Sequence, residues 1–179
     1  MSNVILGLLM LWPQSLYELT KNFEAGISLF YSASTGSIKR SLDRMLADGH
    51  IGVASQDGPR GKKTYAITEA GREKFRNWML AELPSSDFET AVLARTYFLG
   101  LLQPHERPTV VAHIEERIRS ELGRLERLEA QALTLDVPEG FEDVAAHQLA
   151  TLQYGLASCR TALAWSKEHL TAPPMKTTT

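Results

Sequence analysis

The sequence predicts a mainly α-helical protein of two domains, with one small β-hairpin in the first. The first half of the chain alternates short amphipathic segments with a single pair of strand-like runs. The second half is dominated by long segments in which apolar residues recur at steps of three and four, the spacing of one helix face. The turn-forming stretch "PSSD", which begins at Pro84, separates the halves and is the best predicted domain boundary.

Three helices are predicted ahead of the hairpin. The first is the apolar run "VILGLLML", which ends near Pro13 because proline disfavours helix in the residue before it. The second, "SLYELTKNF", has apolar residues at helical spacing and stops at Gly26. The third begins near Ser34, where hydroxyl side chains can cap it, and closes at Gly49. Its buried face is predicted to comprise Ile38, Leu42, Met45 and Leu46.

A β-hairpin and a fourth helix complete the first domain. "HIGVASQ" and "KTYAIT" contain β-branched and aromatic residues in partial alternation, and the turn formers of "DGPRGK" lie between them. Thr68 is placed to cap the following helix, "EAGREKFRNWMLAEL", which Pro84 ends. The first domain is therefore predicted to span residues 1–84.

The second domain, residues 85–172, is predicted to be almost entirely helical. One helix covers "FETAVLARTYFLGLL" up to Pro104, and a second runs from about His105 to Leu135 before "DVPEG" breaks it. The last helix has a near-heptad apolar stripe of Ala145, Leu149, Leu152, Leu156, Cys159 and Leu163. Stripes of this kind in two long helices predict packing over many turns, either as an intramolecular hairpin or against a second copy of the chain. Residues 173–179 are predicted to be a disordered tail.

The motifs of catalysis and metal binding are not found in the sequence. "GPRGKKT" resembles a nucleotide-binding loop, but Gln56 stands where its first glycine belongs, Lys63 replaces its metal-binding hydroxyl residue, and a strand follows instead of a helix. The five histidines are scattered, and Cys159 lies within an apolar stripe. We therefore expect a protein that is not an enzyme and needs no metal or cofactor. No apolar run reaches the roughly 20 residues of a membrane span, no signal peptide is evident, and a single cysteine suits the cytoplasm.

The order of elements in the first half points to DNA. Three helices, a hairpin with a basic turn and a fourth helix form the pattern of a winged helix-turn-helix, in which the third helix enters the major groove. The net charge is −2, but residues 34–63 contain six basic and three acidic side chains. In this interpretation the glycines of "DGPRGK" let the hairpin tip, or wing, approach the duplex closely. Its cations then contact phosphates of DNA and not those of a nucleotide.

The chain resembles the PadR-like family of bacterial transcriptional regulators along nearly its whole length. The resemblance rests on "ILGLLMLWPQSLYEL", "FYSASTGSIKRSLDRMLADGHI", "YAITEAGREKFRNWM" and "DFETAVLARTYFLGLL", followed by two long helices. The longer subfamily, which includes virulence-gene activators, has such a helical C-terminal extension. The chain departs from the family at Ile38, Lys39 and Arg40, where members often have Leu-Tyr-Pro, and at Leu16, where members often have glycine. The replacement of the tyrosine by Lys39 suggests a changed DNA contact.

The resemblance implies a homodimer whose C-terminal helices set the distance between its two DNA-binding domains, here called the reading heads. Such a dimer would bind a palindromic operator with half-sites about one helical turn, roughly 34 Å, apart. Family members often repress a nearby operon and release DNA when a small aromatic molecule binds, whereas others activate transcription. A protein-interaction module that has lost DNA reading is the competing hypothesis.

Two sets of residues are candidates for contacts. Those expected to contact DNA are Ser34, Thr35, Ser37, Lys39, Arg40, Arg44, Arg60, Lys62 and Lys63. Arg44 has an alternative partner in Asp48, and the hydroxyl residues also suit helix capping. Aromatic rings that would stack on an aromatic effector, or else serve in core and interface packing, are Trp78, Trp165, Tyr97, Phe98, Tyr154, Tyr17 and Tyr31.

Overall fold

The computed structural model describes residues 1–57, 62–84 and 86–171, and it confirms a mainly helical protein with a small antiparallel sheet. The elements, in chain order, are α1 (Ser2–Leu9), β1 (Gln14–Ser15), α2 (Leu16–Ala25), α3 (Thr35–Ala47), β2 (Ile51–Asp57), β3 (Lys62–Ile67), α4 (Glu69–Leu80), α5 (Phe88–Phe98), α6 (Arg107–Ala132) and α7 (Glu142–His169). Short 3-10 turns follow α2 at Ile27–Leu29 and α5 at Leu99–Leu101. The predicted disordered tail, 173–179, and the hairpin tip, 58–61, lie outside the described residues.

The helix termini of the first half follow the predicted capping chemistry. The Ser34 side chain accepts a hydrogen bond from the Ser37 backbone at the start of α3, and the Thr68 side chain does the same for Gly71 at the start of α4. Gly49 follows α3 with a φ of +71°, the left-handed conformation that a glycine adopts without strain. The predicted α3 core residues Ile38, Leu42 and Met45 are buried, whereas Leu46 is half-buried.

The sheet has a third strand that the sequence did not indicate. β1 pairs antiparallel with β3, which in turn pairs with β2, so that the strand order is β1-β3-β2. Gln14 in β1 is buried, and its amide donates a 2.7 Å hydrogen bond to the Leu8 carbonyl and accepts one of 2.6 Å from Asn22. A strand of two residues has no periodicity of its own, and its position depends on these contacts.

Three helices are shorter than the sequence predicted, and one of them is α6, which was expected from about His105 to Leu135 and spans Arg107–Ala132. α4 ends at Leu80 and not at Pro84, and α5 ends at Phe98 before a 3-10 turn. At the end of α4 the guanidinium of Arg95, from α5, donates hydrogen bonds to the carbonyls of Trp78 and Glu82. The bond to Trp78 satisfies a carbonyl oxygen that the Glu82 backbone would have bonded in a longer helix.

Residues up to Val110 form one compact unit, and those from Val111 onward form a second. This division lies later in the chain than the boundary expected at Pro84, because α5 packs within the first unit. A Cβ added to Gly7 of α1 would lie 2.7 Å from the ring of Phe98, so the absence of a side chain there makes room for α5. Phe98 also packs edge-on against Phe75 of α4, with ring centroids 5.8 Å apart.

The second unit contains α7 and most of α6, packed side by side. Leu125 of α6 lies 3.2 Å from a Cβ placed on Gly155 of α7, and Arg160 of α7 pairs with Glu126 of α6 at 3.6 Å. All six residues of the stripe predicted on the last helix are buried or half-buried. The chain therefore forms the helical hairpin that was one of the two predicted arrangements.

Candidate nucleic-acid interface

The first turn of α3 presents hydroxyl groups that are already partly engaged. Ser37 donates two hydrogen bonds to Ser34: its backbone N–H donates to Ser34 Oγ at 3.2 Å, and its Oγ donates to the Ser34 carbonyl at 2.7 Å. Thr35 is exposed beside them. The serines thus cap the helix, and Ser34 and Thr35 leave an exposed surface at its first turn.

The three cations predicted on α3 differ in their surroundings. Lys39 donates to Asp43 at 2.7 Å, and this hydrogen bond raises the pKa of Lys39, which is a cation at neutral pH. Arg44 lies 3.9 Å from Asp48, a loose pair in which the arginine side chain is 82% exposed. Arg40 is exposed and has no ion-pair partner among the described residues. Arg40 is therefore the α3 cation whose charge is least compensated.

The wing cations predicted from sequence are only partly described. Arg60 lies outside the described residues, whereas Lys62 and Lys63 begin β3 and are exposed. The ammonium of Lys62 lies 3.7 Å from Glu18 of α2. Hydrogen bonds from the side chain and backbone of Ser15 lower the pKa of Glu18, so its carboxylate is charged at neutral pH and orients Lys62.

An open groove of about 650 Å³ brings these elements together in the first unit. It lies between the start of α2, the start of α3 and β3. Its lining residues are Ser15, Leu16, Tyr17, Thr20, Thr35, Lys62, Lys63 and Tyr65. Three of the predicted DNA-contacting residues therefore share one surface with Tyr17, which was predicted as an effector residue and is 68% exposed. Hydroxyl, phenol and ammonium groups on one open surface suit hydrogen bonding to phosphate oxygens.

Most of the aromatic candidates in the first unit are engaged in packing. Phe98 is buried, and its ring packs edge-on against that of Tyr97 at 5.0 Å. Trp78 packs on Phe75 at 5.7 Å and faces the guanidinium of Arg95 at 4.9 Å. Tyr97 is about half exposed.

Tyr31 lies elsewhere in the first unit, beside the start of the third helix. It is half-buried and lines a second groove, of about 730 Å³, together with Ser34, Thr35 and Ser37. Two effector candidates, Tyr17 and Tyr31, thus lie next to residues predicted to contact DNA, and this nearness was not expected from the sequence.

The remaining two aromatic candidates lie on α7 in the second unit. Trp165 is half-buried with its ring 6.1 Å from that of His169, and Tyr154 is highly exposed. Near the turn that joins α6 and α7, a groove of about 790 Å³ is lined mostly by apolar side chains. Large apolar residues exposed in and around it are Leu128, Leu133, Leu135, Val137, Phe141 and Val144. We refer to this group of six as the α6–α7 turn patch.

Arg95 is a buried charge on α5 that sequence reasoning did not single out. It is only 2% exposed, and burial lowers its pKa to about 10, so it is still cationic at neutral pH. It has no carboxylate partner among the described residues; the carbonyls of Trp78, Glu82 and Ala91 accept its hydrogen bonds. A cation at the C-terminal end of α4 also complements the helix dipole. Its helical spacing alone gave no signal of this role.

Neither a membrane span nor a metal cluster is found within the described ranges. None of the helices there combines the length and apolar character needed to cross a bilayer. In the same ranges, no three His, Cys, Asp or Glu side chains converge as metal ligands would.

Comparison with known proteins gives two family matches. Residues 5–77 match the transcriptional regulator PadR-like family, and residues 91–172 match the family described as virulence activator alpha C-term. The gap between the two matches contains Pro84, where the sequence indicated a boundary.

Individual relatives are similar at a lower level. The negative transcriptional regulator PadR of Bacillus subtilis is 27% identical over 105 residues, which are 57% of this chain and 58% of the relative. A probable transcriptional regulator of Mycobacterium tuberculosis is 27% identical over 166 residues, 85% of this chain and 86% of the relative. The crystal structure of Bacillus subtilis PadR in complex with operator DNA covers 94% of this chain and 95% of that chain, with 21% identity and a TM-score of 0.44. This chain thus spans a little over half the length of the first relative.

Proposed function

Because residues 5–77 match the PadR-like family of transcriptional regulators, we propose that this protein acts in the cytoplasm as a homodimeric repressor of a palindromic operator. In this proposal α3 enters the major groove, and the wing contacts the adjacent backbone. A small aromatic molecule releases the protein from DNA. The chemistry is reversible binding, and no bond is made or broken.

The observation that supports DNA binding most directly is the groove between α2, α3 and β3. Tyr17, Thr35 and Lys63 reach it from three different elements, so one surface offers donors to a duplex lying across it. Lys63 is exposed and has no ion-pair partner among the described residues. A cation of this kind gains a phosphate without losing a carboxylate, whereas Lys62 must exchange Glu18 for DNA.

Fluorescence anisotropy with the protein's own upstream intergenic DNA tests this function. Wild-type protein should bind tightly, select that duplex over an unrelated one, and lose affinity steeply with salt. Lys63→Ala should weaken binding to every duplex and lower the slope of log K against log salt by about one per reading head. Arg72→Ala, which removes an exposed cation from α4, is the matched control and should leave the slope unchanged.

Equal binding to both duplexes would have two explanations, and selection of bound fragments from the whole genome distinguishes them. Enrichment of one sequence family means that the operator lies elsewhere in the genome. No enrichment, together with a flat salt response, would reject DNA reading and favour the protein-interaction module.

The α6–α7 turn patch supports the homodimer. Leu133 and Leu135 are 69% and 71% exposed, and Phe141 is more than half exposed. Contiguous apolar side chains are rarely left in water unless another surface covers them. A two-fold dimer through the C-terminal helices would bury such a patch and hold two heads for the two halves of a palindrome.

Sedimentation equilibrium on the full chain tests the dimer. Wild-type protein should be dimeric, and Leu133→Lys/Leu135→Lys should dissociate at a higher concentration because charges resist burial in an apolar interface. Gln153→Lys, an exposed position on α7, is the control and should not change the equilibrium. A double variant that dimerises as well as wild type would exclude the patch from the interface.

Repression and effector release are tested in one reporter experiment. A promoter that contains the selected operator should become more active when the regulator is deleted, and phenolic acids should reproduce that effect in its presence. The match of residues 91–172 to virulence activators favours activation as the alternative. In that case deletion would lower the promoter's activity.

A further inference from the structure

The outward face of α3 is a stripe of small and charged residues. Ile38, Leu42 and Met45 are buried. With 3.6 residues per turn, the opposite side of the helix carries Gly36 and Arg40, with Asp43 next along the helix. All three are exposed. This stripe lies opposite the buried face of α3, so it is positioned to face a duplex when that face is held by the core.

Neither the backbone conformation nor a contact with any described residue requires glycine at position 36. A Cβ at this position would meet nothing closer than 3.9 Å, and its φ is not in the left-handed region. Glycine within a helix is less favourable than alanine, so the residue lowers the stability of α3 and gains no packing contact within the described chain. A helix surface without a side chain does permit close approach by another molecule.

Arg40 lies beside this glycine. Two atoms, Arg40 Nη1 and Ser34 Oγ, are nearest to the added Cβ, both at 3.9 Å, so the guanidinium and Gly36 belong to one surface. The neighbouring Lys39 is paired with Asp43. The guanidinium of Arg40 is therefore the cation of the stripe without an ion-pair partner among the described residues. A guanidinium matches the O6 and N7 acceptors of guanine in the major groove with two parallel hydrogen bonds.

We propose that Arg40 reads a guanine in each half-site and that Gly36 lets the first turn of α3 come close enough to the bases for it to do so. The inference rests on the proposed DNA-binding function and specifies which base the head recognises. Arg40 would then determine the sequence specificity of binding, whereas Lys63 would add the same affinity for every DNA sequence. Lys39 neutralises Asp43 and removes a repulsion between α3 and the phosphates.

The test begins with a duplex selected by wild-type protein and a set of single-base-pair variants of it. Wild-type protein should lose about 5- to 150-fold in affinity when one particular G·C pair per half-site is replaced. Arg40→Ala should lose a similar factor on the selected duplex and lose nothing more when that pair is changed. Arg40→Lys should keep the salt slope but recover only part of the discrimination, since an ammonium lacks the planar fork. Arg72→Ala, which removes an exposed cation from α4, is the matched control and should keep the wild-type base preference.

A uniform loss of affinity for all duplexes in Arg40→Ala would identify a phosphate contact and overturn the assignment. A preference that survives unchanged in Arg40→Ala would also overturn it, while leaving the DNA-binding function intact. If wild-type protein selected no sequence at all, the proposed function would fail, and the assignment with it.

Gly36→Ala tests the close approach separately. Because the space around this residue is open, the variant should unfold at the same or a higher urea concentration than wild type. Its affinity for the selected duplex should nevertheless fall, by about tenfold or more, because a methyl group then stands between the helix and the bases. Undiminished affinity in a stably folded Gly36→Ala would overturn the role given to this glycine.

Discussion

The packing of α4 against the end of α3 depends on a single missing side chain, that of Gly71. A Cβ at Gly71 would lie 2.0 Å from the carbonyl oxygen of His50 and 2.8 Å from a side-chain carbon of Ile67. Since unstrained carbon–oxygen contacts begin at about 3.3 Å, the helix would have to move by more than about 1 Å. The obstacle is backbone, which cannot rotate away as a flexible side chain would.

That movement would break the hydrogen bonds that join the two helices. The Thr68 backbone donates to the His50 carbonyl at 3.1 Å, and the Thr68 hydroxyl donates to the Gly49 carbonyl at 2.7 Å. Two lost hydrogen bonds cost about 1 kcal/mol each. Overpacking adds about 1–3 kcal/mol, and the better helix propensity of alanine returns about 0.5–1 kcal/mol. We therefore expect Gly71→Ala to lower the free energy of unfolding by about 2–4 kcal/mol.

Urea unfolding followed by circular dichroism measures this loss. Protein concentration must be held constant because dimerisation contributes to apparent stability. For a chain of this size the loss corresponds to a fall in Tm of roughly 4–16 °C. Gly36→Ala is the matched control, because it makes the same change in the first turn of α3 where the space is open. A Gly71→Ala variant within about 0.5 kcal/mol of wild type, the usual range of harmless surface changes, would refute the reasoning.

Three further predictions concern stability and reactivity. Arg95→Ala should destabilise the first unit by about 3 kcal/mol, because the carbonyl of Trp78 loses a charged donor and a cavity forms; thermal unfolding checks this, and a loss below about 1 kcal/mol would contradict it. Ser15→Ala should cost about 1 kcal/mol in urea unfolding, since it removes the cap of α2. The hydrogen bond from the Ser15 hydroxyl lowers the pKa of Glu18 in the folded state, so its contribution to stability is complete above about pH 4.5 and is lost as the pH falls further. The difference in stability between Ser15→Ala, which keeps only the backbone bond, and wild type should narrow there, and a constant difference would argue against the side-chain bond. Burial raises the pKa of the Cys159 thiol. At neutral pH an aromatic disulfide reagent should therefore react with native protein at about one tenth or less of its rate with urea-unfolded protein. Equal rates would show that the thiol is accessible in the folded protein.

The sequence predicted those parts of the fold that depend on neighbouring residues. The caps at Ser34 and Thr68 and the left-handed Gly49 were found correctly because each involves groups within a few positions of one another. Hairpin strands and long helices were likewise evident from periodicity. β1 and the early end of α4 were missed, because they result from contacts with residues distant in the chain.

The candidate site divides in the same way. The pairing of Arg44 with Asp48 was foreseeable, since residues four apart lie on the same face of a helix. The contact of Lys62 with Glu18 was not, nor was the position of Tyr17 in a groove beside the wing. No local pattern relates residues that are brought together only when α2 and β3 pack.

By itself, the amino-acid order determined that this is a helical, two-part chain with a basic third helix and wing, whose residues 5–77 match the PadR-like family and whose residues 91–172 match the virulence activator alpha C-term family. Only the tertiary structure decided which of the basic residues are compensated and which glycines are required for packing. Lys62 has a carboxylate beside it, whereas Arg40 does not, and Gly71 faces a backbone carbonyl, whereas Gly36 faces open space. These differences arise because charge compensation and steric exclusion depend on distances in space, and chain separation does not fix those distances.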